Sequence, residues 1–249
     1  SVFLPKEDRD MAEAVENVLK SYGVSVITGA GLKEIKEGTA VYTKNGEEDT
    51  LDGDAILLAT GRGPNTEGLH AERAGVELTK RGAVVTDKHL RTTAENIWAA
   101  GDVCGNLQFT YISLDDSRII LSDMQGDGSR TTENRGAFAY SVFMEPSFSR
   151  AGLSEKEAAD KGLNYRVVRM NTDMIPKAKV LRKTTGMLKA VIDKDSGKIF
   201  GAALFCPESY EIINMVKLAM DHDLDYTVLR DFIYTHPTMS EGLNDLFAL

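Results

Sequence analysis

Apolar positions Met11, Ala14, Val15, Val18, Leu19 and Tyr22 recur at helical spacing, and Gly23 marks the point where that helix stops. Residues 24–27 (Val-Ser-Val-Ile) then read as a short strand, and Val2-Phe3-Leu4 as the tail of an earlier one. Strand, helix and strand so close together suggest a parallel α/β sheet. Residues 32–37 and 39–43 read as a hairpin of more exposed strands, with Asn45-Gly46 as the following turn. The run at 54–59 (Asp-Ala-Ile-Leu-Leu-Ala) is continuously apolar after its first residue, the pattern of a strand buried on both faces. Residues 82–86 predict another strand, and 93–103 a short apolar strand ending in Gly101-Asp102. From 108 to 124, Ile112, Ile119, Ile120 and Asp123 are spaced to give a helix one apolar and one polar face.

The pattern changes after Gly126-Asp127-Gly128-Ser129-Arg130, which has the composition of a linker. Ser154 and Glu157 have capping-box spacing for a short helix ended by Gly162. Strands at 165–170, 187–192 and 199–205 form an antiparallel meander, with Lys194-Asp195-Ser196-Gly197 as the turn between the last two. Ile212, Ile213, Val216, Ala219 and Met220 make an amphipathic helix. The predicted class is α/β plus α+β, with domains at 1–68, 69–130 and 131–249.

Near the carboxyl end, Thr235-His236-Pro237-Thr238-Met239-Ser240-Glu241 places a carboxylate five residues after a histidine. Imidazole has an unperturbed pKa of about 6.5, and a nearby carboxylate favours its charged form and fixes its tautomer, as proton transfer requires. Thr238 and Glu241 equally have capping-box spacing ahead of Leu243, Leu246 and Phe247. Spacing alone leaves both readings open.

Composition narrows the field. The 249 residues, 42% apolar and 27% charged, are those of a globular protein with ample core. A net charge of −9 argues against nucleic acid or an anionic membrane as partner. No apolar run approaches the roughly 20 residues that span a bilayer, and the first residues lack a signal-peptide pattern. Cys104 and Cys206 are too few and too far apart for a disulfide framework or a redox pair. A cytoplasmic location is expected from this cysteine usage. His70, His89 and His222 lie at no ligand spacing, so no metal site is expected.

Candidate ligand contacts sit at predicted strand ends, where open α/β sheets bind their ligands. Gly61, in the loop Gly61-Arg62-Gly63-Pro64-Asn65, would let the backbone approach a ligand closely. Gly101 would do the same beside Asp102, whose carboxylate can accept hydrogen bonds from sugar hydroxyls. The helix starting near Gln108-Phe109-Thr110 would offer unpaired backbone donors and a positive dipole end to an electron-rich group. A Gly-x-Gly-x-x-Gly pyrophosphate turn is absent, and Gly29-Ala30-Gly31 reads as a simple turn.

Three segments in order, Thr60-Gly61-Arg62 with Pro64-Asn65, Ile97-Trp98-Ala99 with Gly101-Asp102, and His236-Pro237 with Glu241, resemble class I pyridine nucleotide-disulfide oxidoreductases, which are FAD-dependent. The resemblance covers nearly the whole chain as the carboxyl-terminal half of such an enzyme. It implies FAD and NAD(P)H as cofactors of the whole enzyme, with Gly61 and Arg62 where the nucleotide domains meet. It places Gly101 and Asp102 at the FAD ribitol, and Phe109 and Thr110 facing the flavin. His236 and Glu241 would be the acid–base pair serving the partner subunit of a homodimer, and 131–249 the dimerisation domain. The family's Cys-x-x-x-x-Cys is not among these residues, and Cys104 has no partner cysteine near it. Residues 108–116, 140–144, 175–178 and 244–247 resemble the branch tied to reactive-chlorine resistance and NAD(P)H-dependent copper(II) reduction. The expected acceptor is thus a disulfide, a metal ion such as copper(II), or an oxidant. A non-catalytic dimerisation module with empty nucleotide half-sites is the alternative.

Overall fold

The computed structural model describes residues 2–249. Its elements are α1 (Arg9–Ser21), β1 (Ala30–Lys36), β2 (Thr39–Lys44), β3 (Glu47–Asp52), α2 (Thr110–Gln125), β4 (Ala139–Val142), β5 (Phe148–Gly152) and α3 (Glu155–Asp160). Then come β6 (Tyr165–Asn171), α4 (Pro176–Leu181), β7 (Met187–Asp193), β8 (Ile199–Phe205), α5 (Ser209–Asp221), α6 (Thr227–Arg230) and α7 (Gly242–Ala248). They fall into two units, one of residues up to 55 together with 137–249, the other of residues 56–136.

In the first unit, β4 to β8 form an antiparallel sheet in the order β4-β5-β8-β7-β6. Alternate residues of a strand point to opposite faces. Leu188, Ala190, Ile192, Ala202 and Leu204 therefore pack on one face with Ile212 and Val216 of α5 and with Leu243, Leu246 and Phe247 of α7. Ala203 and Phe205 point the other way and meet Met11, Val15 and Val18 of α1. Cover on both faces explains why β7 and β8 are nearly continuous apolar runs in an antiparallel sheet. Ser154 caps α3 with the predicted reciprocal box, its side chain accepting from the Glu157 amide.

The close approach of β5 and β8 depends on size at one position. Gly201 pairs with Gly152, and a Cβ on Gly201 would lie 2.0 Å from the Leu153 carbonyl oxygen. Forcing a methyl into that space must move backbone. Gly201→Ala is expected to destabilise the protein by about 3 kcal/mol, the upper range for overpacking. A urea midpoint equal to that of the unsubstituted protein would show that the strands can separate freely.

The hairpin prediction is met: β1, β2 and β3 form a small antiparallel sheet in that order. Asn45 and Gly46 both have positive φ, at 54° and 85°, as the two-residue turn requires. Other strand predictions are not met. Residues 24–27 and 54–59 form no strand, while 82–86 and 93–103 contribute only the isolated pairings of Val84 with Leu78 and of Trp98 with Arg91. Residues 2–4 are not a strand either; the Phe3 and Leu4 carbonyls accept hydrogen bonds from Arg9 instead. A buried parallel strand needs a hydrogen-bonded neighbour on its flanks, and among the described residues no strand pairs with 24–27 or 54–59. Leu57 and Leu58 are consequently 89% and 63% exposed.

Candidate functional site

The terminal loop is held from both sides. Asn244 in the first turn of α7 donates to the carbonyls of Leu229, Arg230 and Phe232, and the Tyr234 hydroxyl donates to Leu229. Met239 is buried in the core beneath the loop. Between these anchors the His236-Pro237 peptide is cis, and His236 Nδ1 lies 2.7 Å from Glu241 Oε2. Glu241 Oε1 accepts the Thr238 amide at 3.0 Å, while the Glu241 amide donates to Thr238 Oγ1 at 3.3 Å.

The carboxylate thus uses one oxygen for the imidazole and the other for a reciprocal box. That box closes the turn 238–241 and stands just ahead of α7, which begins at Gly242. The box expected from the spacing is formed, one turn ahead of a helix that has no side-chain cap of its own, and the same carboxylate also reaches the imidazole. The imidazole is 68% exposed above a carboxylate only 14% exposed. With Nδ1 facing a hydrogen-bond acceptor, the ring is fixed as the Nδ1–H tautomer when neutral, leaving Nε2 to exchange a proton.

The second constellation lies in the unit of residues 56–136. Gly101 opens a 3-10 turn, Gly101–Cys104, with φ of 75°. Asp102 follows with its carboxylate 44% exposed, 3.8 Å from Arg62 Nη1. Gly61 has φ of 107°, and a Cβ built on it meets nothing within 4 Å, so the loop faces open space. Thr110 is the first residue of α2, and Phe109 before it supplies no side-chain cap. One exposed carboxylate for hydroxyls, an uncapped helix amino terminus and an open glycine loop fit the sugar and ring end of a flavin dinucleotide. The pyrophosphate cradle is not among these residues.

Beneath Asp102 is a charged cluster that sequence reading did not assign to the site. Asp116 accepts the Gly101 amide at 2.8 Å and an Arg135 Nη2 bond at 2.8 Å. Asp115 pairs with Arg130 and lies 3.5 Å from Arg135 Nε. Adjacent acids between the apolar positions Ile112 and Ile119 of one helix, with arginines at 130 and 135, were the available signal. Cys104 sits beside this cluster, and burial followed by the Asp116 charge pushes its thiol up to about 11. Burial likewise pushes Cys206 up to about 12. Both thiols are therefore protonated at neutral pH and unsuited to thiolate chemistry.

Among the described residues no group of three or more His, Cys, Asp or Glu is placed to hold a metal, and no helix is long and apolar enough to cross a membrane.

Comparison with known proteins adds the following. A family described as "Pyridine nucleotide-disulphide oxidoreductase" matches residues 1–117, and its dimerisation domain matches residues 138–247. A probable pyridine nucleotide-disulfide oxidoreductase, RclA of Escherichia coli (strain K12), is 48% identical over all 249 residues, which cover 56% of that protein. A mercuric reductase of Staphylococcus aureus is 34% identical over 241 residues, 95% of this chain and 44% of the relative. A solved structure described as the Cu(II) complex of HOCl-induced flavoprotein disulfide reductase RclA from Escherichia coli aligns with a TM-score of 0.93 at 46% identity, over 100% of this chain and 56% of that one. The chain spans about half the length of these relatives. Its fold class is α/β plus α+β, Rossmann-like portions followed by a dimerisation domain, as the pattern and the family resemblance together implied.

Proposed function

The chain belongs to the pyridine nucleotide-disulfide oxidoreductase family, and on that premise we propose that it is the carboxyl-terminal half of an NAD(P)H-dependent flavoprotein reductase acting as a homodimer. When bound, FAD would accept a hydride from NAD(P)H and pass the electrons through a cysteine pair to a disulfide, a metal ion such as copper(II), or an oxidant. Asp102 would accept hydrogen bonds from the cofactor's sugar, with Gly101 leaving room for it. The amino end of α2 at Phe109 and Thr110 would place its positive dipole against the electron-rich ring. Gly61 and Arg62 would border the site from the neighbouring loop. His236, fixed by Glu241, would hold and move a proton at Nε2 for a thiol of the partner subunit. The 2.7 Å bond between Nδ1 and the Glu241 carboxylate carries this reading. Copper(II) as acceptor is supported by the solved copper complex of the similar RclA.

The dimer is supported by the dimerisation-domain match and by large apolar side chains left open on that domain, Phe143 at 81% and Ile233 at 93% exposure. A non-catalytic module is the second reading, favoured by the exposed run at Leu57 and Leu58. Visible flavin absorption of the purified protein separates the two, because a colourless preparation that oxidises no NAD(P)H supports the module. For the site itself, Asp102→Ala is expected to weaken FAD binding about 10- to 100-fold, the value of a charge-assisted hydrogen bond. Fluorescence titration of FAD measures this, and an unchanged dissociation constant would remove Asp102 from the cofactor site.

A further inference from the structure

We propose that Asp116 is a positioning residue for the cofactor site: its carboxylate, steadied by Arg135, fixes the turn from which Asp102 reaches the sugar. The inference rests on the reading of Asp102 given above.

Gly101 and Asp102 begin a 3-10 turn, where the first amides have no partner within the turn itself. The amide of Gly101 is buried and must be satisfied by another group. It donates to Asp116 Oδ2 at 2.8 Å, so a helix side chain does what a backbone carbonyl does elsewhere. The contact leaves little freedom, because a Cβ at Gly101 would fall 2.7 Å from Ser113 Oγ. Asp116 lies in the second turn of α2, the helix whose amino end is the other candidate cofactor contact. One hydrogen bond therefore sets two cofactor contacts, the Asp102 carboxylate and the α2 terminus, at a fixed separation.

The choice of a charged residue is informative. Asp116 is only 3% exposed, and a buried carboxylate is costly unless it is paired. Arg135 Nη2 supplies the pairing at 2.8 Å, and its Nε lies 3.5 Å from Asp115 Oδ2. Arg130 donates to Asp115 as well. Both oxygens of Asp116 are thus engaged by protein groups, so it acts on a ligand through the turn. Charge strengthens the acceptor toward Gly101, and the arginine keeps the carboxylate from rotating away.

The two functions of Asp116 can be separated. Asp116→Ala removes both the acceptor and the charge, whereas Asp116→Asn keeps an oxygen for the Gly101 amide and leaves Arg135 with Asp115 as its remaining carboxylate partner. FAD affinity and thermal midpoint are measured on the full-length reconstituted protein. Affinity is expected to fall at least about 10-fold in Asp116→Ala and to return to within about threefold in Asp116→Asn, while both variants melt earlier. Affinity would then follow the acceptor and stability the charge. Wild-type affinity in the alanine variant, or equal loss in both, overturns the inference. If the alanine variant fails to fold, the asparagine variant decides alone, a loss of 10-fold or more counting against the inference. Asp102→Ala is measured alongside. Unchanged affinity there, or no FAD binding by the unsubstituted protein, sinks the site reading and the inference with it. Loss there with none in Asp116→Ala sinks only the positioning role.

Discussion

Replacing His236 with alanine should lower turnover of the flavin-loaded enzyme about 10²- to 10⁴-fold, the usual contribution of a positioned acid–base group. Stability should barely move, since the ring is 68% exposed and its hydrogen bond is made at the surface of the loop. Stopped-flow traces sharpen the expectation. Flavin reduction by NAD(P)H should remain fast, because in the proposed role the proton at Nε2 would be needed at the thiol step. Glu241→Gln should give a smaller fall, on the order of tenfold, because a neutral amide weakens one charge-assisted bond and no longer enforces the Nδ1–H tautomer. The Gln side chain can still accept the Thr238 amide, so the loop should keep its shape. Full turnover in His236→Ala would end the acid–base assignment and leave the stretch as a capped turn.

Lys189→Ala should cost about 3–5 kcal/mol of stability, the range for leaving buried charges without their partner. The Lys189 side chain is 2% exposed in the middle of β7, on the face covered by α1. Its ammonium lies 2.9 Å from Asp8, 3.0 Å from Asp10 and 2.7 Å from Glu155. Asp8 also accepts the amides of Glu155 and Lys156, so the cluster ties the start of α1 to the start of α3. Without the lysine, three carboxylates face one another with Arg169 as their remaining cation, bonded to Asp10 and Glu155.

The pH dependence has a definite sign. Burial pushes the Asp8 and Asp10 carboxyls up, but bonds from Lys189, Arg169 and backbone amides outweigh it and hold both below 3.8. Their stabilisation is complete above the unfolded value and is lost as pH falls through the lowered folded value. Burial pulls Lys189 down, and its three carboxylate partners more than reverse this, holding it above 10.5. Its contribution is complete below 10.5 and is lost as pH rises through the raised folded value. Denaturant midpoints for wild type and Lys189→Ala should therefore differ most between these limits. The gap should narrow in acid, where protonated carboxyls no longer repel. A gap that stays constant down to the acid limit would mean that lost packing, not charge, explains the variant.

The elements carried by local periodicity were legible in the sequence. Met11 to Tyr22 gave α1, the serine box gave α3, and the runs at 165–170, 187–192 and 199–205 gave β6, β7 and β8. The short strands β4 and β5 were not read, since four and five residues hold too few alternations to stand out. Runs at 24–27 and 54–59 have strand composition but no ladder. Composition reports that a segment suits burial in a sheet and says nothing about whether a neighbour is present.

For the site, sequence supplied the residue types and tertiary structure supplied their division of labour. His236 and Glu241 were legible as either an acid–base pair or a cap, because spacing limits reach without choosing a rotamer. Only the folded loop shows the carboxylate's two oxygens serving imidazole and amide separately. Asp102 and the start of α2 were expected from the sequence as ligand-facing positions, whereas the hydrogen bond from the Gly101 amide to Asp116 was not. Lys189 is a charged residue in an otherwise apolar strand, and only the folded chain brings Asp8, Asp10 and Glu155 around it. The sequence by itself determined which segments coil, which extend and which side chains can do chemistry, since these depend on neighbours along the chain. The tertiary structure decided which sheet α1 covers, which runs find partners and which buried charges are paired. Those depend on contacts between residues far apart in sequence, which no local pattern encodes.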